Sequence, residues 1–233
     1  MPKISDEQWD QRRRQILEAA WRCFHRKGVQ PTTMEDIIAE SQMAASAMYR
    51  YFRGKDDIIL SAITASLETL AQQLAPLLQG PAAATPMDFV ARVLGAIERF
   101  SQRDGYNLLP IAIHGWSEAQ RDERVRELLN GFYGRFRAQI AQRVAEWQQQ
   151  GVVGREASAQ ELAQTLLSTI LGFLVQATIM RDVSVAGLAR GVGALSRVPY
   201  TAPGGEQPMD TAPTPGRARR SGSRKKGPLA GAS

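Results

Sequence analysis

The sequence has 233 residues, 43% of them hydrophobic, and its 29 Lys and Arg against 23 Asp and Glu give a formal net charge of +6. This length and apolar share allow a sizeable core, and the single cysteine, Cys23, excludes an intrachain disulfide. The net charge is +3 over residues 1–55 and +4 over 201–233, against −1 between them. Basic ends suit nucleic-acid binding, whereas a neutral middle suits dimerisation or a small ligand.

Apolar residues recur with helical spacing up to about residue 197, and no alternating strand pattern stands out. The spacing predicts a first helix over about 6–27, which ends at Gly28 after two basic residues. A short second helix is predicted to open at Thr32, because Thr32 lies three residues before Glu35 as in a capping box. A short third helix is predicted over about 45–52.

The remainder of the chain up to residue 197 is also predicted to be helical. A long fourth helix covers about 55–79. The later helices are predicted over 87–103, 106–117, 120–150, 157–181 and 184–197. From Pro199 the chain is rich in Pro, Gly, Ser and Ala and closes on a basic cluster, so we expect 199–233 to be a disordered basic tail. Such a tail would either add non-specific phosphate contacts or only aid solubility.

The second and third predicted helices, joined by a tight turn, are a compact way to place one helix in the major groove of DNA. Such a helix needs one apolar and one polar side. Three apolar side chains are spaced to pack on the first two helices: Met48, Tyr51 and Phe52. Three hydrogen-bonding side chains have the same spacing on the other side: Ser46, Tyr49 and Arg50. Arg50 can bind either guanine or phosphate, and the sequence leaves both open.

The chain resembles the N-terminal domain of the TetR family of bacterial regulators in two segments, RRRQILEAAWRCFHRKG in the first helix and TTMEDIIAESQMAASAMYRYFRGKDDII over residues 32–59. The resemblance implies an all-α fold, with a three-helix helix-turn-helix domain over 1–54 and a larger helical effector-binding and dimerisation domain over 55–198. It implies a homodimer that binds double-stranded DNA at a palindromic operator, represses transcription and is released by a small-molecule effector.

Carried over by position, the resemblance implies DNA contacts from seven residues: Thr33, Ala44, Ala45, Ser46, Tyr49, Arg50 and Lys55. Tyr49 and Lys55 usually meet the DNA backbone in the family. The chain departs from the family at Gln42, where a turn glycine is common, and at Ala44 and Ala45, where a hydroxyl residue and a lysine are common. We therefore expect the third helix to make fewer phosphate contacts than is usual.

The resemblance also implies an effector pocket among the helices of about 87–181 and a dimer interface on the last two long helices. The pocket candidates are Phe100, His114, Trp116, Phe136 and Gln176. The interface candidates are Leu166, Ile170, Phe173, Leu188, Val192 and Leu195. Aromatic residues at helical spacing are also common in an ordinary hydrophobic core. Core packing therefore remains an alternative interpretation of the pocket candidates.

One stretch of nineteen residues, 162–180, carries no charged residue, which is close to the length of a membrane-spanning helix. Polar residues interrupt it, so we predict a buried helix of a soluble bundle and no membrane partner. The alternative class is a helical interaction or membrane-surface protein whose basic ends bind anionic surfaces.

The two histidines, His25 and His114, are far apart in sequence and offer neither metal-ligand spacing nor a catalytic triad. We therefore predict no enzyme activity, no metal and no cofactor. The polar, charged first residues predict no secretory signal, and together with the single cysteine they predict a cytoplasmic protein.

Overall fold

The computed structural model of the chain describes residues 5–81 and 83–195, except for the side chain of Leu195. The predicted tail, 199–233, lies outside the described residues. Over the described ranges the elements are, in chain order, α1 (Asp6–Lys27), α2 (Met34–Ser41), α3 (Ala45–Tyr51), α4 (Lys55–Gln79), α5 (Pro86–Ser101), β1 (Gln102–Arg103), β2 (Tyr106–Asn107), α6 (Leu108–Glu118), α7 (Glu123–Gln149), α8 (Ala159–Ile179) and α9 (Val185–Leu195). The all-α prediction is therefore confirmed, and α1 and α4 have the predicted bounds.

The capping box of α2 is one residue later than predicted. Thr33 is the N-cap, its hydroxyl accepts from Asp36 N at 3.2 Å, and its own backbone N–H donates to the Asp36 carboxylate at 3.0 Å. Thr32 is buried instead and donates its hydroxyl proton to the Gly28 carbonyl at 2.7 Å. The predicted box of Thr32 and Glu35 is wrong because the Thr32 side chain is engaged inside the fold.

A short hairpin that the sequence pattern did not predict separates α5 from α6. Strands β1 and β2 pair antiparallel, with Gln102 opposite Asn107 and Arg103 opposite Tyr106. An Asp-Gly turn joins them, and Gly105 has a φ of 83°, which suits a tight hairpin turn. Two residues per strand are too few to show an alternating pattern, so the prediction extended the preceding helix to residue 103 instead.

Two hydrophobic clusters form the core of the described part of the chain. The first joins α1, α2, α3 and the start of α4, and it includes Phe100, Leu108 and Ile111 from later elements. The N-terminal helices therefore share a core with the larger domain. The second lies among α4, α5, α7 and α8, around Phe89 and Trp147, whose rings meet edge to face at a centroid distance of 5.8 Å.

Arg143 of α7 holds the end of α4. Its buried guanidinium donates to the carbonyls of Leu78 and Gly80, each at 2.7 Å, and to the Glu146 carboxylate at 2.6 Å. These carbonyls lie at the C-terminus of α4, where helix geometry leaves backbone acceptors unpaired. The far end of α4 is thereby fixed to α7.

Helix α8, predicted to be buried, is buried on one side only. Its buried residues are Ala163, Leu167 and Ile170, and its final apolar residue, Ile179, is exposed together with Met180. Both α4 and α8 are long and apolar enough to cross a membrane by length and composition, a property that helices of soluble proteins share. Apolar residues fill more than one side of α8, so a single neighbouring layer of helices cannot cover them all.

Candidate nucleic-acid interface and internal cavity

Helix α3 is anchored by the apolar side chains that the sequence predicted. Met48 and Phe52 are fully buried and Tyr51 nearly so, all within the cluster formed with α1 and α2. This anchoring fixes the rotation of α3 about its axis. The other side of the helix is consequently turned to solvent.

The seven predicted DNA-contacting residues lie at the surface. Six are exposed: Thr33, Ala44, Ala45, Ser46, Tyr49 and Arg50. Tyr49 is the most informative, because a tyrosine side chain that is 53% exposed lacks the cover that its ring would find in a core. Lys55 is half-buried and its Nζ donates to the Gln30 carbonyl at 2.7 Å. Any phosphate contact from Lys55 therefore has to replace or share that hydrogen bond.

The turn between α2 and α3 is left-handed at Gln42, where φ is 56° and ψ is 26°. This is the position at which the sequence differs from the glycine that is common in the family. A residue with a Cβ is strained in this conformation, whereas glycine is not. Gln42 nevertheless gives the turn the shape that a glycine would allow.

Two residues of α1 that were not predicted as functional from the sequence hold the C-terminal end of α3. Arg13 Nη1 donates to the Tyr51 carbonyl at 3.0 Å, and the Arg13 guanidinium carbon lies 4.4 Å from the centroid of the Phe52 ring. Trp9 packs against Tyr51 with a centroid distance of 4.3 Å. These contacts cap α3 and set its position relative to α1.

Two of the three acidic residues of α2, Asp36 and Glu40, are paired with bases of α1. Glu40 accepts hydrogen bonds from Arg22 at 2.7 Å and Arg26 at 2.8 Å, while Asp36 accepts from Lys27 at 2.5 Å. The hydrogen bonds from Arg22 and Arg26 lower the pKa of Glu40, and that from Lys27 lowers the pKa of Asp36. Both carboxylates stay ionised with their charge compensated, which limits repulsion of an approaching polyanion.

A cavity of about 130 Å³ lies inside the helical bundle. It is bordered by residues of α1, α4, α5, α6, α7 and α8, and six aromatic side chains line it: Trp21, Phe100, Trp116, Phe132, Tyr133 and Phe136. None of the described lining residues is Asp, Glu, Lys, Arg or His. The cavity is thus suited to the uncharged part of a small molecule.

Three of the five pocket candidates line this cavity, namely Phe100, Trp116 and Phe136. His114 and Gln176 do not, and both are exposed. The residues of α6 that line the cavity are Leu108, Leu109, Ile111, Ala112, Ile113, Gly115 and Trp116. His114 lies on the solvent side of the same turn, and the helical spacing alone did not reveal which side faces inward.

The interface candidates are divided between the surface and the core. Four are only half-buried in the single chain: Leu166, Phe173, Leu188 and Val192. Ile170, in contrast, is 1% exposed and lines the cavity, so its side chain points into its own protomer. The side chain of Leu195 lies outside the described residues.

Two family models match the chain. The first is described as bacterial regulatory proteins of the tetR family and matches residues 16–62. The second is described as the C-terminal part of the BetI-type transcriptional repressors and matches residues 109–194. Together they span more than half of the chain. The chain belongs to the TetR family.

This TetR-family chain is similar to two curated regulators. It is 28% identical to the HTH-type transcriptional regulator BetI of Rhizobium meliloti over 144 residues, which are 60% of the chain and 66% of BetI. It is 37% identical to the uncharacterized HTH-type regulator YfiR of Bacillus subtilis over 67 residues, which are 29% of the chain and 33% of YfiR. The chain therefore matches between one third and two thirds of the length of these relatives.

A solved structure extends the similarity over most of the TetR-family chain. A transcriptional regulator from Saccharomonospora viridis, in complex with choline, is 25% identical with a TM-score of 0.67, and the match covers 81% of this chain and 96% of that one. The fold of the described helices is thus that of a helix-turn-helix regulator with a helical C-terminal domain.

Proposed function

We propose that the chain is a transcriptional repressor that binds a palindromic operator as a homodimer in the cytoplasm and is released by a small-molecule effector. The observation that carries the proposal is the two-sided α3. Its apolar side is locked into the core, and its free side presents Ser46, Tyr49 and Arg50. A rigid helix with exposed hydrogen-bonding side chains is what insertion into a major groove requires.

The residues of the proposed interface can be grouped by the part of the DNA, base or phosphate, that each can contact. Arg50 suits a bidentate contact to guanine or a phosphate, and Ser46 suits a base edge. The exposed Ala44 and Ala45 at the start of α3 allow its backbone to approach the DNA closely. Thr33 at the N-terminus of α2 and Lys55 at the start of α4 lie at helix N-termini, which favour phosphate.

A second copy of the chain is the proposed cover for the half-exposed side of α8 and for α9. The residues offered to it are Leu166, Phe173, Leu188 and Val192. Pairing of these helices would place two copies of α3 on successive major grooves, about 34–36 Å apart. A palindromic operator follows from the two-fold symmetry.

The effector is proposed to occupy the internal cavity. Trp21 of α1 lines it together with residues of α4 and α6, so an occupant can contact α1 directly. The similar regulator from Saccharomonospora binds choline. A coupling of about 1–3 kcal/mol between effector and operator would be enough for regulation.

Selection from random-sequence DNA with the purified full chain, followed by sedimentation of the complex, tests the proposal. We expect a palindromic site bound by two copies. Arg50→Ala should weaken binding to that site by about 10- to 100-fold, because it removes a charged contact. Arg137→Ala removes the same charge from an exposed position of α7 and should leave the affinity within about twofold.

Equal affinity of the Arg50 variant and the parent would contradict the role of Arg50, and the absence of any selected site would contradict the proposal itself. Flotation of the chain with anionic lipid vesicles distinguishes the alternative class. A membrane-surface protein would float with the vesicles, whereas the proposed regulator remains below.

A further inference from the structure

The cavity is small and apolar. Its volume of about 130 Å³ is close to that of a cavity lined by Leu, Ile and Phe that holds a benzene molecule. Its described lining has no charged side chain, so a carboxylate would find no counter-charge there, and an ammonium would have only the faces of the aromatic rings to contact. These two properties favour an uncharged occupant of about the size of one aromatic ring with a short substituent.

The Tyr133 hydroxyl in the lining has hydrogen-bonding capacity left. Trp116 Nε1 donates to the Tyr133 hydroxyl oxygen at 2.8 Å, which fixes the direction of that hydroxyl. The Tyr133 hydroxyl can also donate its own proton, and no acceptor for that proton is found among the described residues. Burial raises the pKa of Tyr133, so the proton stays in place at neutral pH.

The other hydroxyls of the lining are less suited to a ligand. Ser101 donates to the Glu98 carbonyl and Thr178 to the Leu174 carbonyl, each at 2.8 Å. Ser66 makes no hydrogen bond among the described residues, but it also borders an open cleft beside Arg14 and Arg103. Water can reach Ser66 from that cleft, which Tyr133 does not border.

We infer that the effector is an uncharged small molecule carrying a hydrogen-bond acceptor, such as a ketone or ester oxygen, which takes the proton of the Tyr133 hydroxyl. Its apolar part packs against the aromatic side chains around Tyr133. The inference rests on the proposed function, because it names the chemical class of the effector at the proposed site. It assigns to Tyr133 the selection of ligands that carry a hydrogen-bond acceptor.

Calorimetric titration of the full chain with a matched pair of probes tests this inference. Acetophenone carries a carbonyl oxygen, and α-methylstyrene has nearly the same shape with a methylene group in its place. We expect the parent to bind acetophenone about three- to tenfold more tightly, the usual effect of one hydrogen bond. Tyr133→Phe should abolish this preference and leave the affinity for α-methylstyrene unchanged.

Ser66→Ala is the control variant and should keep the preference for acetophenone. Loss of the preference in Ser66→Ala but not in Tyr133→Phe would overturn the assignment of Tyr133. Tighter binding of phenyltrimethylammonium or benzoate than of acetophenone, or no binding of either neutral probe, would overturn the chemical class. Binding to the selected operator is measured separately, so a parent that binds DNA but fails these titrations contradicts only this inference.

Discussion

At the scale of single residues, Gln42 is the point where the helix-turn-helix is strained. Its left-handed backbone is one of two such positions outside glycine among the described residues, the other being Arg181. The side chain of Gln42 is exposed and makes no hydrogen bond among the described residues. No hydrogen bond of the Gln42 side chain therefore offsets the strain of its left-handed backbone.

Gln42→Gly should increase the free energy of unfolding by about 1 kcal/mol, because glycine adopts the left-handed conformation without strain. Urea unfolding at one fixed protein concentration measures the change. Gln72→Gly, at an exposed position inside α4, is the matched control and should decrease stability by about the same amount. A decrease in both variants would mean that the strain at Gln42 is negligible.

At the scale of the elements, α1 organises the proposed DNA interface although it offers none of the predicted contacts. It supplies the bases that pair with Asp36 and Glu40 of α2, and through Arg13 and Trp9 it caps α3. The orientation of the recognition helix is thus set by side chains on its buried and C-terminal sides.

Arg13→Ala should lower both the free energy of unfolding, by about 1–2 kcal/mol, and the affinity for the selected operator. The variant loses the hydrogen bond to the Tyr51 carbonyl and the stacking on Phe52. Arg12→Ala is the control, since Arg12 is exposed on the same helix and bonds only to Gln15. Operator titration and urea unfolding of both variants provide the measurement; equal behaviour of the two would contradict a role of Arg13 in placing α3.

The sequence predicted those features that depend on neighbours in the chain. The bounds of α1 and α4 follow from periodicity and end signals, and the two sides of α3 follow from spacing within seven residues. Contacts between residues that are far apart in the chain were not predicted. The Arg13–Tyr51 bond spans 38 positions, and which side of α6 faces the cavity depends on how α6 packs. Periodicity contains no information on either.

At the scale of the whole molecule, the cavity and the proposed DNA interface share structural parts. Trp21 lines the cavity and lies in the same cluster as Met48 and Phe52 beneath α3. The Gln30 side chain, between α1 and α2, donates to Glu118 at the end of α6 at 3.1 Å. A displacement of the helices around the cavity can therefore be transmitted to α3 through α1 and α6 as well as through α4.

We expect acetophenone bound in the cavity to weaken operator binding by the parent. Trp21→Phe should reduce this effect while leaving operator affinity without ligand within about threefold. The smaller ring reaches less far into the cavity but keeps apolar contact with Phe24. The operator affinity of parent and variant is measured with and without saturating ligand, and the ratio gives the coupling. An unchanged ratio, with the ligand still bound, would show that α1 does not carry the signal.

Because one side of α8 is half-exposed, we expect operator occupancy to depend steeply on the concentration of the chain. If that side is covered by a second copy, the chain obeys a monomer–dimer equilibrium, and folding and association are linked by mass action. Below the dissociation constant, the concentration of operator-competent dimer rises with the square of the chain concentration. Modest changes in synthesis or degradation would then produce steep changes in operator occupancy, even when no effector is present.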